Sequence, residues 1–376
     1  MVVTRGALGL LVVVGCRFAP DEVALGDAQG PEVDAPAPPD ATDGKADRER
    51  RRRLSFDNAT GGLLVDFPIL VRLDPSRIDY ARVAPDALDL RFIDSNGQDA
   101  LPHEIERWVP GGESLVWVRV PMIDAASTTD FIYLSYGSEM PAMQDPPGVW
   151  SAGYAAVWHL GQEGAGAVLL NSAANGYPGT PVGTSAVPGR IGGGRAFHDS
   201  GDERVTVDGG EELFSGWPQF TIEAWVYPDY PSDSAWENAG EDFFLDKGGP
   251  IGLGRVRRIG TQLAGRGTAQ IDANFTSASV FATVEVERRA WTWIVFTLNE
   301  GRYRVYRNGA QVSDQPMTAA LQSGSNPFYL GHDGNAMNGI LDEVRLADVG
   351  RDEGWVEAQH RSMQDSFVTF GAEERP

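Results

Sequence analysis

The chain has 376 residues, 53 of them acidic and 31 basic, for a net charge of −22. Such a surface is repelled by phosphate backbones, which argues against nucleic acid as a partner and against a polybasic hold of the body of the protein on anionic lipid. The single cysteine, Cys16, excludes a disulfide within the chain, so stability rests on burial, and the length allows at least two cores.

At the N-terminus Arg5 precedes the apolar run Ala7 to Gly15. This is the layout of a secretory signal peptide, and it falls short of the ~20 apolar residues a membrane span takes. The sequence Val13-Val14-Gly15-Cys16 resembles the lipobox of bacterial lipoproteins. The resemblance implies a lipoprotein signal over residues 1–15, acylation of Cys16, and a protein anchored by lipid in the bacterial cell envelope; a plain signal peptide is the alternative. Arg17, where retained lipoproteins carry aspartate, favours the outer over the inner membrane. Residues 16–50 read as a disordered tether, because Asp21 to Asp47 is rich in Pro, Ala, Gly and Asp and has no aromatic residue. Arg48 and Arg50 to Arg53 read as a solvated lead-in to the first strand.

Residues 51–150 show short alternating segments, "FPILVRL", "LDLRFID", "SLVWVRVP" and "DFIYLSYG", broken by Asn96-Gly97 and Gly111-Gly112. Period-two alternation of β-formers with turn residues predicts antiparallel strands in a β-sandwich, with no long helix. Glu104 and Glu106 in "PHEIERW" fall on one face of a strand and read as its solvated side, with His103 a surface histidine. The segments 67–73, 88–108, 115–121 and 131–137 resemble a bacterial domain of unknown function that often precedes a laminin-G-like domain in exported proteins. That family implies no chemistry.

"EMPAMQDPPG" (139–148) reads as a connector, and a second unit is predicted over residues 152–372. "WTWIVFTLNEGRYRVYRNG" predicts a hairpin turning at Asn299-Glu300-Gly301, followed by a turn at Asn308-Gly309. Trp225, Trp291, Phe296 and Tyr306 are expected between two sheets. "GRAFHDSGDERVTV", "FTIEAWVYP", the hairpin and "NGILDEVRL" together resemble the laminin-G-like, concanavalin A-like jelly roll. The expected fold is therefore all-β: a disordered linker, a β-sandwich and a concanavalin A-like jelly roll.

The resemblance implies a calcium site built from Asp342 and the loop aspartates Asp199 and Asp202, although His198 stands where relatives have aspartate, and a merely structural Asp342 is the alternative. The acidic loop "YPDYPSDSAWENAGEDFF" offers Tyr230 and Trp236 as rings that stack on sugar faces, with Trp236 as a loop anchor the alternative. Neither the carboxylate triad of glycosidases with this fold, nor a G-x-S-x-G elbow, nor H-E-x-x-H occurs; "VEVER" holds two glutamates without a third acid. "IGGGRAF" leads into a strand, so it makes no phosphate loop. The expected function is a non-enzymatic recognition module for a glycan or an envelope or extracellular protein. A glycan-cleaving enzyme and a structural spacer are the alternatives.

Overall fold

The computed structural model describes residues 48–376 apart from residues 140, 165–166, 175, 199–202, 233–234, 236–243, 248–259, 265–267, 276–277, 317–325 and 333–336. The chain runs through β1 (Arg50–Phe56), β2 (Leu64–Leu73), β3 (Arg91–Asp94), β4 (His103–Arg107), β5 (Ser114–Ile123), β6 (Phe131–Tyr136) and a one-turn helix α1 (Pro146–Val149). It continues through β7 (Tyr154–Trp158), β8 (Gly179–Val182), β9 (Ser185–Pro188), β10 (Gly193–Phe197), β11 (Arg204–Val207), β12 (Phe220–Pro228) and β13 (Leu245–Lys247). Then come β14 (Gly260–Ala264), β15 (Thr268–Phe275), β16 (Ala278–Glu285), β17 (Thr292–Asn299), β18 (Arg302–Arg307) and β19 (Ala310–Pro316). β20 (Phe328–Gly331), β21 (Gly339–Ala347), helix α2 (Glu353–Met363) and β22 (Val368–Glu374) complete it. The fold is nearly all β, with antiparallel pairing throughout, as the alternation predicts.

The central layer is an eight-stranded sheet, β19-β18-β17-β12-β21-β10-β9, with β7 pairing the far end of β21. Its hairpin turns where the sequence places it: Glu300 and Gly301, and then Asn308 and Gly309, all take positive φ, the geometry that matches strand twist in two-residue hairpin loops. One face of this sheet packs on the sheet β13-β20-β11-β8, burying Ile222, Val226, Phe296, Leu341 and Val344 against Val205, Phe328 and Leu330.

The other face of the same sheet is buried too. Trp225, Trp293, Val295 and Tyr306 join Phe67, Leu70 and Trp117 of the N-terminal strands and Trp150, which caps α1, in one cluster that also holds Trp355, Val356 and Met363 of α2. Trp225 and Tyr306, expected between the sheets of the jelly roll, thus lie on its outer face, and Trp291 is only partly buried against this second cluster; Phe296 alone of the four lies in the inner core. The boundary expected at residues 150–152 is crossed by this shared cluster and again by β22, which pairs with β1 to complete the sheet β22-β1-β6-β3. Arg50 to Arg53 are not a lead-in but part of β1 itself; Arg50 pairs with Glu373 and Arg51 with Glu374 of β22, each at 3.3 Å.

Helix α2 was not expected. Its start is encoded locally: the Asp352 side chain accepts the Trp355 amide at 2.8 Å, Glu353 lies in the first turn, and His360 and Arg361 lie in the last. No helix among the described residues is long and apolar enough to cross a membrane.

Candidate functional site

β4 is the edge of the sheet β2-β5-β4, and its register against β5 slips between Ile105 and Arg107, so Glu106 is the extra residue of a bulge. Glu104 and Glu106 share a face, as their spacing predicts, but that face is not solvated. The side chain of Glu106 is 4% exposed and that of Glu104 11%, and His103 beside them is buried. Each carboxylate has an indole donor, because a buried charge is tolerated only when paired: Trp150 Nε1 donates to Glu104 Oε2 at 2.6 Å, and Trp117 Nε1 to Glu106 Oε2 at 2.7 Å. Ser172 Oγ donates to Glu104 Oε1 at 2.6 Å.

Facing them is a second bulge, on β21. Glu343 has φ of 50°, and the register against β12 runs from Glu223 opposite Arg345 to Trp225 opposite Asp342. One extra residue turns Asp342, Glu343 and Arg345 toward the N-terminal strands, where plain alternation would have split them between faces. His159, directly after β7, stands between the two bulges. Its Nδ1 lies 2.5 Å from Glu343 Oε1 and its Nε2 3.3 Å from Glu104 Oε2. Arg345 donates from Nε and Nη2 to Glu343 Oε2, lies 3.5 Å from Glu223 Oε2, and has its guanidinium over the rings of Trp117 and Trp150.

The electrostatics follow from this arrangement. Burial opposes the charge on His159, but the carboxylates of Glu343 and Glu104 outweigh it and hold the imidazolium well above the usual histidine range. Burial likewise opposes ionisation of Glu343, yet His159 and Arg345 draw its pKa down to about 2. Glu106 goes the other way: burial and the neighbouring Glu343 push it up to about 8. Asp342 is raised well above the carboxylate range by burial, Glu343 and Glu106. The site therefore holds ionised Glu104 and Glu343 beside carboxyls that retain protons near neutrality.

Glu104, Glu106 and His159 of this network line a cleft of about 570 Å³. Ile105 and Arg107 of β4, Val187 and Pro188 of β9, and Gln162 and Glu163 form its walls. The loop between β9 and β10 closes tightly over the carboxylates. A Cβ on Gly192 would come within 2.1 Å of Glu106 Oε1, and one on Gly189 within 2.6 Å of Asp342 Oδ2. Gly189 and Gly192 of "GRIGGG" are thus needed for close approach to acid groups.

Of the residues singled out by sequence, Asp342 is in this site, fully buried, with Oδ2 accepting the Ile191 amide at 2.7 Å. Tyr230 is buried in the jelly-roll core and presents no ring to a ligand. Cys16, Asp199, Asp202 and Trp236 lie outside the described residues. His159, Glu343, Arg345 and Glu223 were not foreseen as site residues. Their signal was a charged or polar residue set in an otherwise apolar strand, as in "YAAVWHL" and "ILDEVRL".

No curated protein matches the chain. Among solved structures it is similar to the binding domain of Paraclostridial Mosquitocidal Protein 1, with 14% identity over 56% of this chain and 52% of that one and a TM-score of 0.45. It is also similar to domain 4 of AbnA, a GH43 extracellular arabinanase from Geobacillus stearothermophilus, with 16% identity, 55% and 98% coverage and a TM-score of 0.43. A third similar structure is the binding domain of Botulinum Neurotoxin DC, with 12% identity, 57% and 52% coverage and a TM-score of 0.41. The match spans about half (52%) of the first of these structures. Family models match two successive segments, residues 86–152 the domain of unknown function DUF2341 and residues 199–356 the concanavalin A-like lectin/glucanases superfamily (laminin-G type), so the chain carries a DUF2341 domain followed by a concanavalin A-like domain.

Proposed function

We propose that the protein is a lipid-anchored module of the bacterial cell envelope that recognises a glycan in the cleft beside β4 and does not cleave it. The observation that carries the non-enzymatic part is the engagement of the ionised carboxylates. Both oxygens of Glu104 are taken by Ser172, Trp150 and His159, and both of Glu343 by His159 and Arg345. A glycosidase needs two carboxyl groups free to act on the sugar from the cleft, one as acid and one as nucleophile or base. Here the charged pair serves the internal network. The walls suit recognition: Arg107, Gln162 and Glu163 offer donors and acceptors for hydroxyl groups, and Ile105, Val187 and Pro188 offer apolar surface for a sugar face.

Binding of the full chain to a glycan array tests this, with Val187→Trp as the variant that fills the cleft from an edge strand. The expected result is binding by the native chain and its loss in the variant at an unchanged unfolding midpoint. Release of new reducing ends from a bound polysaccharide would overturn the non-enzymatic reading, and capture of an exported protein with no glycan bound would replace the ligand class. The anchor is tested separately. Cys16→Ser is expected to abolish lipid labelling and to leave the precursor uncleaved there.

Calcium belongs to the same reading. Asp342 Oδ1 is a buried oxygen without a partner, which suits a cation. The family resemblance implies Asp199 and Asp202 as further calcium ligands, and they lie outside the described residues. Calcium is expected to raise the unfolding midpoint of the chelator-stripped chain, and Asp342→Ala to remove most of that rise.

A further inference from the structure

We propose that Glu106, His159 and Glu343 are the seat of one divalent transition-metal ion, of the zinc or manganese kind, beside the cleft. One side-chain atom from each lies within 4.8 Å of the other two, so small side-chain movements bring all three to one ion. The set is built from both domains. Glu106 comes from the DUF2341 segment and Glu343 from the concanavalin A-like segment, and neither family match by itself contains it. It is also distinct from the calcium set of Asp342, Asp199 and Asp202.

Three independent features point to an ion. Glu106 Oε1 is buried and has no partner, although Oε2 of the same carboxylate is held by Trp117. Burying an acceptor without a partner is unfavourable, so such an oxygen suits a cation. Next, the buried acid groups Glu104, Glu106, Glu223, Asp342 and Glu343 outnumber Arg345 and His159, the buried basic groups that pair with them, so the cluster is rich in oxygen donors for a divalent cation. Last, His159 is braced as a metal ligand is braced. Its Nε2 faces Glu104 Oε2 at 3.3 Å while Nδ1 points into the cluster, the arrangement in which a carboxylate fixes the tautomer and orientation of a ligating imidazole. Binding of the ion replaces the contact between Nδ1 and Glu343 Oε1, and the proton carried by the imidazole is released to solvent.

The donor chemistry chooses the ion. An imidazole nitrogen with carboxylate oxygens suits zinc or manganese, whereas calcium and magnesium prefer oxygen throughout. Three protein ligands leave a coordination position open, and Glu106 and His159 both line the cleft, so that position is available to water or to a ligand. The site stands whatever occupies the cleft, and its test needs no glycan.

The test is titration of the chelator-stripped full chain with Zn2+ and with Mn2+ alone, followed by calorimetry and, for Mn2+, by pulsed electron paramagnetic resonance. The expected result is uptake of one equivalent, with nitrogen coupling from a single imidazole in the manganese spectrum. Glu106→Gln keeps an acceptor for Trp117 and removes the ligand charge, and it should weaken binding about tenfold or more; Glu104→Gln, one step removed, should weaken it about 10–100-fold. Absence of stoichiometric uptake of either ion overturns the proposal. So does uptake unchanged by Glu106→Gln, or a manganese spectrum without nitrogen coupling. The spectrum of the native chain decides the matter even if a variant fails to fold.

Discussion

The guanidinium of Arg345 lies 4.3 Å from the ring centre of Trp117, and the two residues belong to different domains of the chain. Arg345 is fully buried, so its charge is compensated only by Glu343, Glu223 and the aromatic faces around it. Replacing Arg345 by Met leaves Glu343 with His159 alone and removes the ion pair of Glu223, and is expected to cost about 3–5 kcal/mol, measured by urea unfolding. Arg345→Lys restores a charge but not the planar fork or the stacking, and should recover only part of the loss. A variant as stable as the native chain would show that the network carries no net stability.

The cluster shared by the two β units is expected to make them unfold together. A fragment of residues 48–150 lacks β22, the partner of β1, and leaves Trp117 and Trp150 without the residues that cover them. Each large apolar side chain so exposed forfeits about 1.5–3 kcal/mol. The fragment is expected not to unfold cooperatively, whereas residues 48–376 should show a single transition by fluorescence and circular dichroism. Two resolved transitions in the longer chain would count against the shared core.

His360 of α2 stacks on Trp293 with ring centres 5.7 Å apart, and burial, helped by Arg190, pushes its pKa down to about 4. The unfolded chain takes up a proton near the ordinary histidine value of 6.5, while the folded chain refuses it until about pH 4. Unfolding therefore binds a proton in that window, and stability must fall as pH drops through it. His360→Phe keeps a flat ring over Trp293 and removes the titration. The slope of stability against pH between 6.5 and 4 should be shallower in that variant, as chemical denaturation at stepped pH would record.

Gly192 has φ of 61°, and a Cβ there would come within 2.1 Å of Glu106 Oε1. Gly192→Ala combines backbone strain with displacement of a buried carboxylate, and should cost about 1–3 kcal/mol. Combined with Glu106→Ala, which vacates the space, the second substitution should cost less than it does alone. Strictly additive losses would indicate backbone strain without the side-chain clash.

The strands and most of their turns are legible in the sequence, because alternation and dipeptides such as Asn308-Gly309 act over a few residues: the backbone at those positions does take the positive φ that the residue types permit. The sequence also carried the start of α2 in Asp352 and Glu353, a local signal masked by the weight of β patterning around it. The period of two put Glu104 and Glu106 on one face, but not which face is covered, since the layer over them comes from Glu343 and Arg345, more than two hundred residues later in the chain. The bulge at Glu343 decided the rest. A single extra residue turned Asp342, Glu343 and Arg345 toward one side, and whether a strand takes up such a residue depends on the partner strand against which it is paired, so only the tertiary structure could bring the carboxylates of two domains around His159.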